Sequence, residues 1–146
     1  KKNQETHDGY KNHAKVDAKT KIVTGYKTTS AEVHDSQVFE ELVEEGDAAV
    51  FADSAYLSEE NQEHLIKTNC EDFILLKARR NHPLTEEEEE TNRKRSRIRV
   101  RCEHVFARMS QMAMDRVRTI GAVRANQHIA LSNLVYNMDR MAFLCR

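Results

Sequence analysis

The chain has 146 residues, of which 39% are hydrophobic and 32% are charged. This length suits one domain and excludes two, and the apolar runs exclude a disordered chain. The formal net charge of −1, taken alone, argues against a protein dedicated to binding a polyanion. No apolar run reaches the roughly 18 residues that a membrane span needs, so we expect no contact with a membrane.

The near-neutral total hides an uneven distribution of charge. Residues 1–31 carry +4, residues 32–72 carry −12, residues 73–85 carry +3, residues 86–90 carry −5 and residues 91–146 carry +9. The C-terminal third is therefore strongly basic, which reopens the question of polyanion binding. The three cysteines include no C-x-x-C pair, so neither a disulfide framework nor a zinc ribbon is indicated, and we expect a cytosolic protein.

The first third of the chain predicts a hairpin and a helix. Residues 13–17 and 21–28 alternate in polarity and are joined by a short polar turn, as in two antiparallel strands. A helix is predicted next, because Asp35 or Ser36 can cap its start and Gly46 can end it.

The middle of the chain predicts two strands of a parallel sheet. The apolar runs 48–52 and 73–76 are short and uninterrupted, which is typical of strands buried on both faces. Between them, Ser58 and the carboxylates after it predict the start of a helix that extends to about Asn69.

Two long helices are predicted in the C-terminal half. Thr85 to Glu88 has the pattern of a capping box, and helical character continues to about Met112. The last helix, roughly Val123 to Leu144, has apolar residues along one side: Ala130, Leu131, Leu134, Val135, Met138 and Met141. This order of strands and helices predicts an α/β domain built in layers.

Asp53 is the first candidate for chemistry. It stands where the predicted strand 48–52 ends, and functional groups in open α/β sheets gather just beyond the carboxyl ends of the strands. A carboxylate there can hold a metal ion or a proton. The simpler interpretation is an Asp that caps the next turn.

Glu103 is the second candidate. Helical spacing aligns Ile98, Cys102, Val105, Phe106 and Met109 in an apolar stripe that should face the core. Glu103 and Arg99 then lie together on one border of the stripe, where the arginine can keep the acid ionised and fixed. The simpler interpretation is an ordinary ion pair on an exposed helix.

Basic residues are the third feature. Six of the nine residues 93–101 are Lys or Arg, which suits a surface that follows phosphates, although such runs are often only solvated.

On the first predicted strand, Lys11 and Lys15 lie on one face, with solvation as their simpler role. The pair His34-Asp35 is similar to a metal-binding pair of some phosphohydrolases, but a capping Asp is the better interpretation.

Five blocks of the sequence, in order, resemble successive blocks of bacterial insertion-sequence transposases of the DDE class, in the group numbered five. The blocks start with Gly9-Tyr10-Lys11-Asn12-His13 and continue with Val33-His34-Asp35-Ser36, Ala52-Asp53-Ser54-Ala55-Tyr56, Arg93-Lys94-Arg95-Ser96-Arg97 with Arg101-Cys102-Glu103-His104, and Asn133-Leu134-Val135-Tyr136-Asn137. Each block alone is weak, but five in register are specific.

The resemblance implies a ribonuclease-H-like, three-layer fold in which a mixed sheet is flanked by helices. In that fold two Asp and one Glu hold two Mg²⁺ or Mn²⁺ ions. The activity it implies is that of an endonuclease and strand transferase, which cuts the ends of a transposon and joins them to target DNA. The partners it implies are the terminal inverted repeats, the target DNA and further copies of the protein, in the bacterial cytoplasm at the nucleoid.

Individual residues match the motifs of that family. Asp53, in its Asp-x-x-Tyr setting with Tyr56, matches the second acid, and Glu103 matches the third. Arg99 matches the arginine four residues before that Glu, where it contacts phosphate or orients the acid. As contacts of the DNA backbone we expect Lys11, Lys15, Arg95, Arg97, Arg101 and Arg108.

The sequence also departs from the family pattern. Ser96 and Ser110 stand where the wider signature has Tyr and Lys, so those two roles are not carried over. The family's first Asp lies on a central first strand that precedes the Gly-Tyr-Lys-Asn-His block, and we expect both to be missing from this chain. The alternatives are a catalytically inactive remnant that binds DNA or oligomerises, and a metal-dependent phosphohydrolase.

Overall fold

A computed structural model of the chain describes residues 9–78 and 82–146. The chain begins with an antiparallel hairpin of β1 (Tyr10–Val16) and β2 (Val23–Ser30). The predicted hairpin is therefore confirmed, with β1 starting three residues before its predicted start and β2 two residues after.

The turn of the hairpin is held by Asp17. Its carboxylate accepts hydrogen bonds from the backbone N–H of Thr20 at 2.6 Å and from that of Lys19 at 3.2 Å, and the bonds from Thr20 lower the pKa of Asp17. Lys21 follows with a left-handed φ of 62°, and its N–H donates to the backbone oxygen of Asp17 at 2.8 Å. This local network makes the turn longer than the pattern predicts.

The predicted helix after the hairpin is divided in two. A 3-10 helix covers Asp35–Val38, and α1 covers only Phe39–Leu42. The prediction that Asp35 or Ser36 caps it is wrong, because the ring of His34 accepts the N–H of Ser36. The carboxylate of Asp35 instead binds Lys11 from β1 at 2.9 Å.

A second, parallel pair of strands consists of β3 (Ala49–Val50) and β4 (Glu71–Asp72). Backbone hydrogen bonds of 3.0 Å extend the pairing on both sides, from Glu71 to Ala48 and from Leu75 to Ala52. The two predicted strands do pair, but residues 49–52 are only half-buried. The prediction of a strand buried on both faces is wrong because, in the described residues, this sheet has only two strands.

The remaining helices follow their predicted caps. The structure has α2 (Glu59–Lys67), α3 (Glu86–Gln111) and α4 (Ala122–Leu144). Ser58 caps α2 by accepting the N–H of Asn61, and Thr85 forms the capping box with Glu88 at the start of α3. None of the helices in the described ranges is long and apolar enough to cross a membrane.

Two small cores position the elements. Phe39, Val43, Leu65, Cys70 and Ile74 pack between the parallel pair, α1 and α2. The second core joins the hairpin to the two long helices through Val23, Val105, Met109 and Tyr136. Of the stripe predicted on α3, Val105 and Met109 are buried, whereas Phe106 is 38% exposed, so that part of the prediction is wrong.

The apolar side predicted for α4 faces away from the core. Leu131, Leu134 and Met138 are each more than half exposed, and the buried side of the helix contains Ala125, Ile129, Ser132, Asn133 and Tyr136. Polar partners on the hairpin determine this orientation, as described below. The α/β class is confirmed, while the ribonuclease-H-like layers and the single domain over residues 1–146 stay predictions.

Candidate functional site

Asp53 stands just beyond the parallel pair of strands, at the predicted strand end. Its Oδ1 accepts the backbone N–H of Ser54 at 2.6 Å and so caps the 3-10 turn Ser54–Tyr56. Its Oδ2 accepts no hydrogen bond from the residues that the structure describes. The side chain is exposed, so Asp53 has both a capping role and one oxygen that is open to an outside partner.

Tyr56 links this strand end to α3. Burial, with smaller contributions from the nearby groups of Asp35, Cys102 and Asp53, raises the pKa of its phenol to about 12. The ring packs on Phe39 with 5.8 Å between centroids. Tyr56 therefore remains a neutral phenol at physiological pH, in reach of the charge of Asp53 and of a residue on α3.

Glu103 pairs with Arg99 one turn earlier on α3. Arg99 Nη2 donates to Glu103 Oε1 at 2.6 Å, so the two side chains lie together as predicted. The Glu103 side chain is 53% exposed, and a pair this open adds at most about 1 kcal/mol of stability. The buried Nε of Arg99 has no hydrogen-bond partner in the described structure.

The predicted acids do not form a complete metal site. Carboxylate oxygens are the donors that Mg²⁺ prefers, and Asp53 and Glu103 supply that chemistry. However, no group of three or more His, Cys, Asp or Glu in residues 9–78 and 82–146 could hold a metal ion. The described residues thus provide donors of the right kind without the full set.

Three of the predicted DNA-contacting arginines bind other parts of the fold. Arg95 donates to the backbone oxygen of Ile74, and Arg101 donates to that of Ala18. Arg108 binds Asp139 through two hydrogen bonds of 3.0 Å, from Nε and Nη2. These contacts attach α3 to its neighbours.

The two predicted lysines of β1 are paired with acids. Lys11 donates to Asp35 Oδ1 and to the backbone oxygen of Val33, each at 2.9 Å, and Lys15 pairs with Asp47 at 2.7 Å. Arg97, by contrast, is exposed and makes no ion pair or hydrogen bond within the described ranges. Among the predicted DNA contacts, Arg97 therefore has the most available charge.

The pair His34-Asp35 is committed to structural contacts. His34 Nδ1 binds Ser36 at the start of the 3-10 helix, and Asp35 binds Lys11. The nearby His13 is buried, with its Nε2 2.8 Å from the hydroxyl of Thr29, and burial lowers its pKa. Both residues of the pair are therefore engaged in structural contacts, although His34 and not Asp35 is the cap, and this disfavours a phosphohydrolase site.

Sequence reasoning missed the polar residues that dock α4 on the hairpin. Asn137 Oδ1 accepts the N–H of Val23 at 2.9 Å, and Asn137 Nδ2 donates to the oxygen of Val23 at 2.8 Å. Asn133 pairs its amide with that of Asn12 at 2.9 Å. Both asparagines belong to the last of the five blocks that resemble the transposases, so the sequence did mark these positions. Their partners on the hairpin are more than 110 residues away, so the local pattern did not show what they bind.

Comparison with known proteins shows the family to which the chain belongs. The family model described as "Transposase DDE domain" matches residues 1–138, and this chain belongs to that family. It is also similar to the transposase for insertion sequence element IS1106 of Neisseria meningitidis serogroup B, with 31% identity over 141 residues.

That alignment covers 92% of this chain and 47% of the relative, so the chain spans about half the length of the curated protein it matches. No solved structure matches the chain.

Proposed function

We propose that this chain is part of the catalytic domain of an insertion-sequence transposase, which cleaves the ends of the element and joins them to target DNA. In this proposal Asp53 and Glu103 are two of the metal-binding carboxylates. The observation that carries it is the family match over residues 1–138, together with the Oδ2 of Asp53, which is open at the strand end.

The ions expected are Mg²⁺ or Mn²⁺, two in the complete site. Such ions supply Lewis acidity at the attacking and leaving oxygens of the phosphodiester. Because the described residues contain no group of three ligands, a further carboxylate from outside them must complete the set. We infer that this carboxylate is the family's first Asp.

Arg99 and Tyr56 have supporting roles in this proposal. Arg99 holds Glu103 in place through the 2.6 Å contact. The buried, unpaired Nε of Arg99 is a donor for which an incoming phosphate oxygen is a suitable acceptor, because buried donors rarely lack a partner. Tyr56 stays protonated and can donate a hydrogen bond.

The partners in this proposal are DNA and further copies of the protein. The terminal inverted repeats and the target DNA would meet the basic side of α3, with Arg97 as the most available contact. An oligomer would bring two active sites into one complex, and the protein would act at the bacterial nucleoid.

One observation favours a second function. The absence of a three-ligand group in the described ranges is also what a catalytically inactive transposase remnant would show. Such a remnant would still bind DNA or a full-length partner through its basic surface. The two functions differ in a single property, which is cleavage of DNA in the presence of metal.

The test uses the full-length protein and duplex DNA that carries the ends of the element. With Mn²⁺ or Mg²⁺, we expect Asp53→Asn and Glu103→Gln to reduce nicking to the level without protein. The matched controls are Asp115→Asn and Glu60→Gln, which change exposed acids elsewhere and should retain activity. If either site variant nicks DNA like its control, the assignment of that acid is wrong.

A further inference from the structure

A basic pocket lies where the turn of the hairpin meets α3 and α4. It has a volume of about 340 Å³, and its lining includes Lys21, His104, Arg108, Asp139, Arg140 and Phe143. Only Arg108 of these belongs to the expected DNA contacts, and neither Asp53 nor Glu103 lines the pocket.

The backbone of the turn directs Lys21 into this pocket. Lys21 has the left-handed φ of 62°, which is uncommon for a residue with a side chain. The hydroxyl of Tyr136 donates to its backbone oxygen at 2.8 Å, and Lys21 Nζ donates to His104 Nδ1 at 2.9 Å. An ammonium has three N–H donors, so two of them stay available to a ligand.

Arg140 adds a second charge without an acidic partner. Its Nε donates to the backbone oxygen of Thr20 at 2.7 Å, and its guanidinium stacks over Phe143 at 4.9 Å from the ring centroid. These contacts fix the guanidinium and involve no carboxylate. Arg108, in contrast, is balanced by Asp139, so the net positive charge of the pocket comes from Lys21, Arg140 and a further lining residue, Arg146.

We propose that this pocket binds a phosphate of the DNA backbone and extends the DNA-binding surface of α3 onto the hairpin turn and α4. The inference rests on the proposed function in taking DNA as the partner. Two positive groups with free N–H donors match the charge and the acceptor oxygens of a phosphodiester. The ligand is therefore an oxyanion. The residues next to the pocket indicate whether it is a free phosphate or a phosphate of a nucleic-acid backbone.

The pocket lies at one end of a longer basic row. Arg97, Arg101, His104 and Arg108 follow one another at intervals of four, three and four residues, which places them on one face of α3. At 1.5 Å per residue the row is about 16 Å long, roughly the rise of five phosphates along one DNA strand. A row of that length suits a nucleic-acid backbone better than a single free phosphate.

The test measures DNA binding without metal, by fluorescence anisotropy of a labelled duplex at several salt concentrations. Each phosphate contact contributes about 0.9 to the slope of log K against log salt, which is roughly an eightfold change in affinity at about 0.1 M salt. We expect Lys21→Gln to reduce the magnitude of the slope by about one and the affinity by about eightfold, whatever the DNA sequence. Lys21→Arg should restore both.

Lys67→Gln is the matched control, because Lys67 is an exposed lysine on α2 away from the pocket. It should leave the slope unchanged. The proposal is overturned if Lys21→Gln behaves like Lys67→Gln, or if both variants weaken binding equally. Inorganic phosphate added at constant ionic strength should compete poorly. If it saturates the pocket while Lys21→Gln leaves duplex binding intact, the site is one for a free anion.

Measuring the salt slope of DNA binding apart from nicking distinguishes this proposal from the proposed catalytic function on which it rests. Asp53→Asn should bind the duplex with the normal salt slope, because Asp53 does not line the pocket. Failure of metal-dependent nicking with a normal slope would contradict only the catalytic assignment. An unchanged slope in Lys21→Gln, with nicking intact, would contradict only the pocket.

Discussion

The attachment of α4 to the hairpin depends on Asn137, and the change Asn137→Ala tests it. The side chain of Asn137 binds both backbone groups of Val23, at 2.9 Å to the N–H and 2.8 Å to the oxygen. Val23 is 7% exposed and belongs to the core shared with α3. Removing the amide therefore leaves a donor and an acceptor without their partner in a place that water reaches poorly.

The expected loss follows from these two contacts. A buried polar group that loses its partner costs about 1–3 kcal/mol, so two groups cost roughly 2–4 kcal/mol after partial relaxation. Replacing Asn by Ala inside a helix returns about 0.6 kcal/mol of helix propensity. The net loss of about 2.5 kcal/mol is a large part of the roughly 5–15 kcal/mol that stabilises a domain, and it lowers Tm by about 5–10 °C at this chain length.

Urea and thermal unfolding, followed by circular dichroism, measure this loss. Asn126→Ala is the matched control, since Asn126 is exposed on the same helix and gains the same propensity. We expect the control to be neutral or slightly stabilised. If Asn137→Ala unfolds at the same urea concentration and temperature as Asn126→Ala, the reasoning that α4 is held by this amide is refuted.

Two further predictions concern His13 and the cap of α2. Burial lowers the pKa of His13 below 6.5 against the opposing charge of Asp35, so the unfolded chain binds the proton first. Stability should be full above pH 6.5 and fall as the pH drops through the folded pKa; the urea midpoint checks this, and His13→Gln should lessen the dependence. Ser58→Ala should cost about 1 kcal/mol through loss of the cap, and Ser58→Asp should restore it. An equal pH dependence in His13→Gln, or a neutral Ser58→Ala, would contradict the respective prediction.

Features with local causes could be predicted from the sequence. The caps at Ser58 and Thr85 form between residues three apart, so the starts of α2 and α3 follow from nearby side chains. The hairpin follows from alternation and from Asp17, whose bonds stay within the turn. In each case the two residues that form the hydrogen bond are close together in the chain, so the local sequence pattern contains both of them.

Features with distant causes could not be predicted. At the start of the helix after residue 34, Asp35 does not act as the cap but binds Lys11, 24 residues away. The orientation of α4 follows from polar contacts of Asn133 and Asn137 with the hairpin, which outweigh the apolar side suggested by helical spacing. The resemblance likewise predicts Asp53 and Glu103 as the acids and gives no measure of how the folded chain places them.

The net charge that the surface presents depends on which basic residues are paired with acids in the folded chain. Arg108 and Asp139 cancel each other, as do Lys11 and Asp35, so these basic residues add little to the field that an approaching phosphate meets. Arg97 and Lys21 have no acidic partner in the described structure. If DNA binding follows uncompensated charge, substitution at Arg97 or Lys21 should weaken it more than substitution at Lys11, although all three are basic residues in the same sequence.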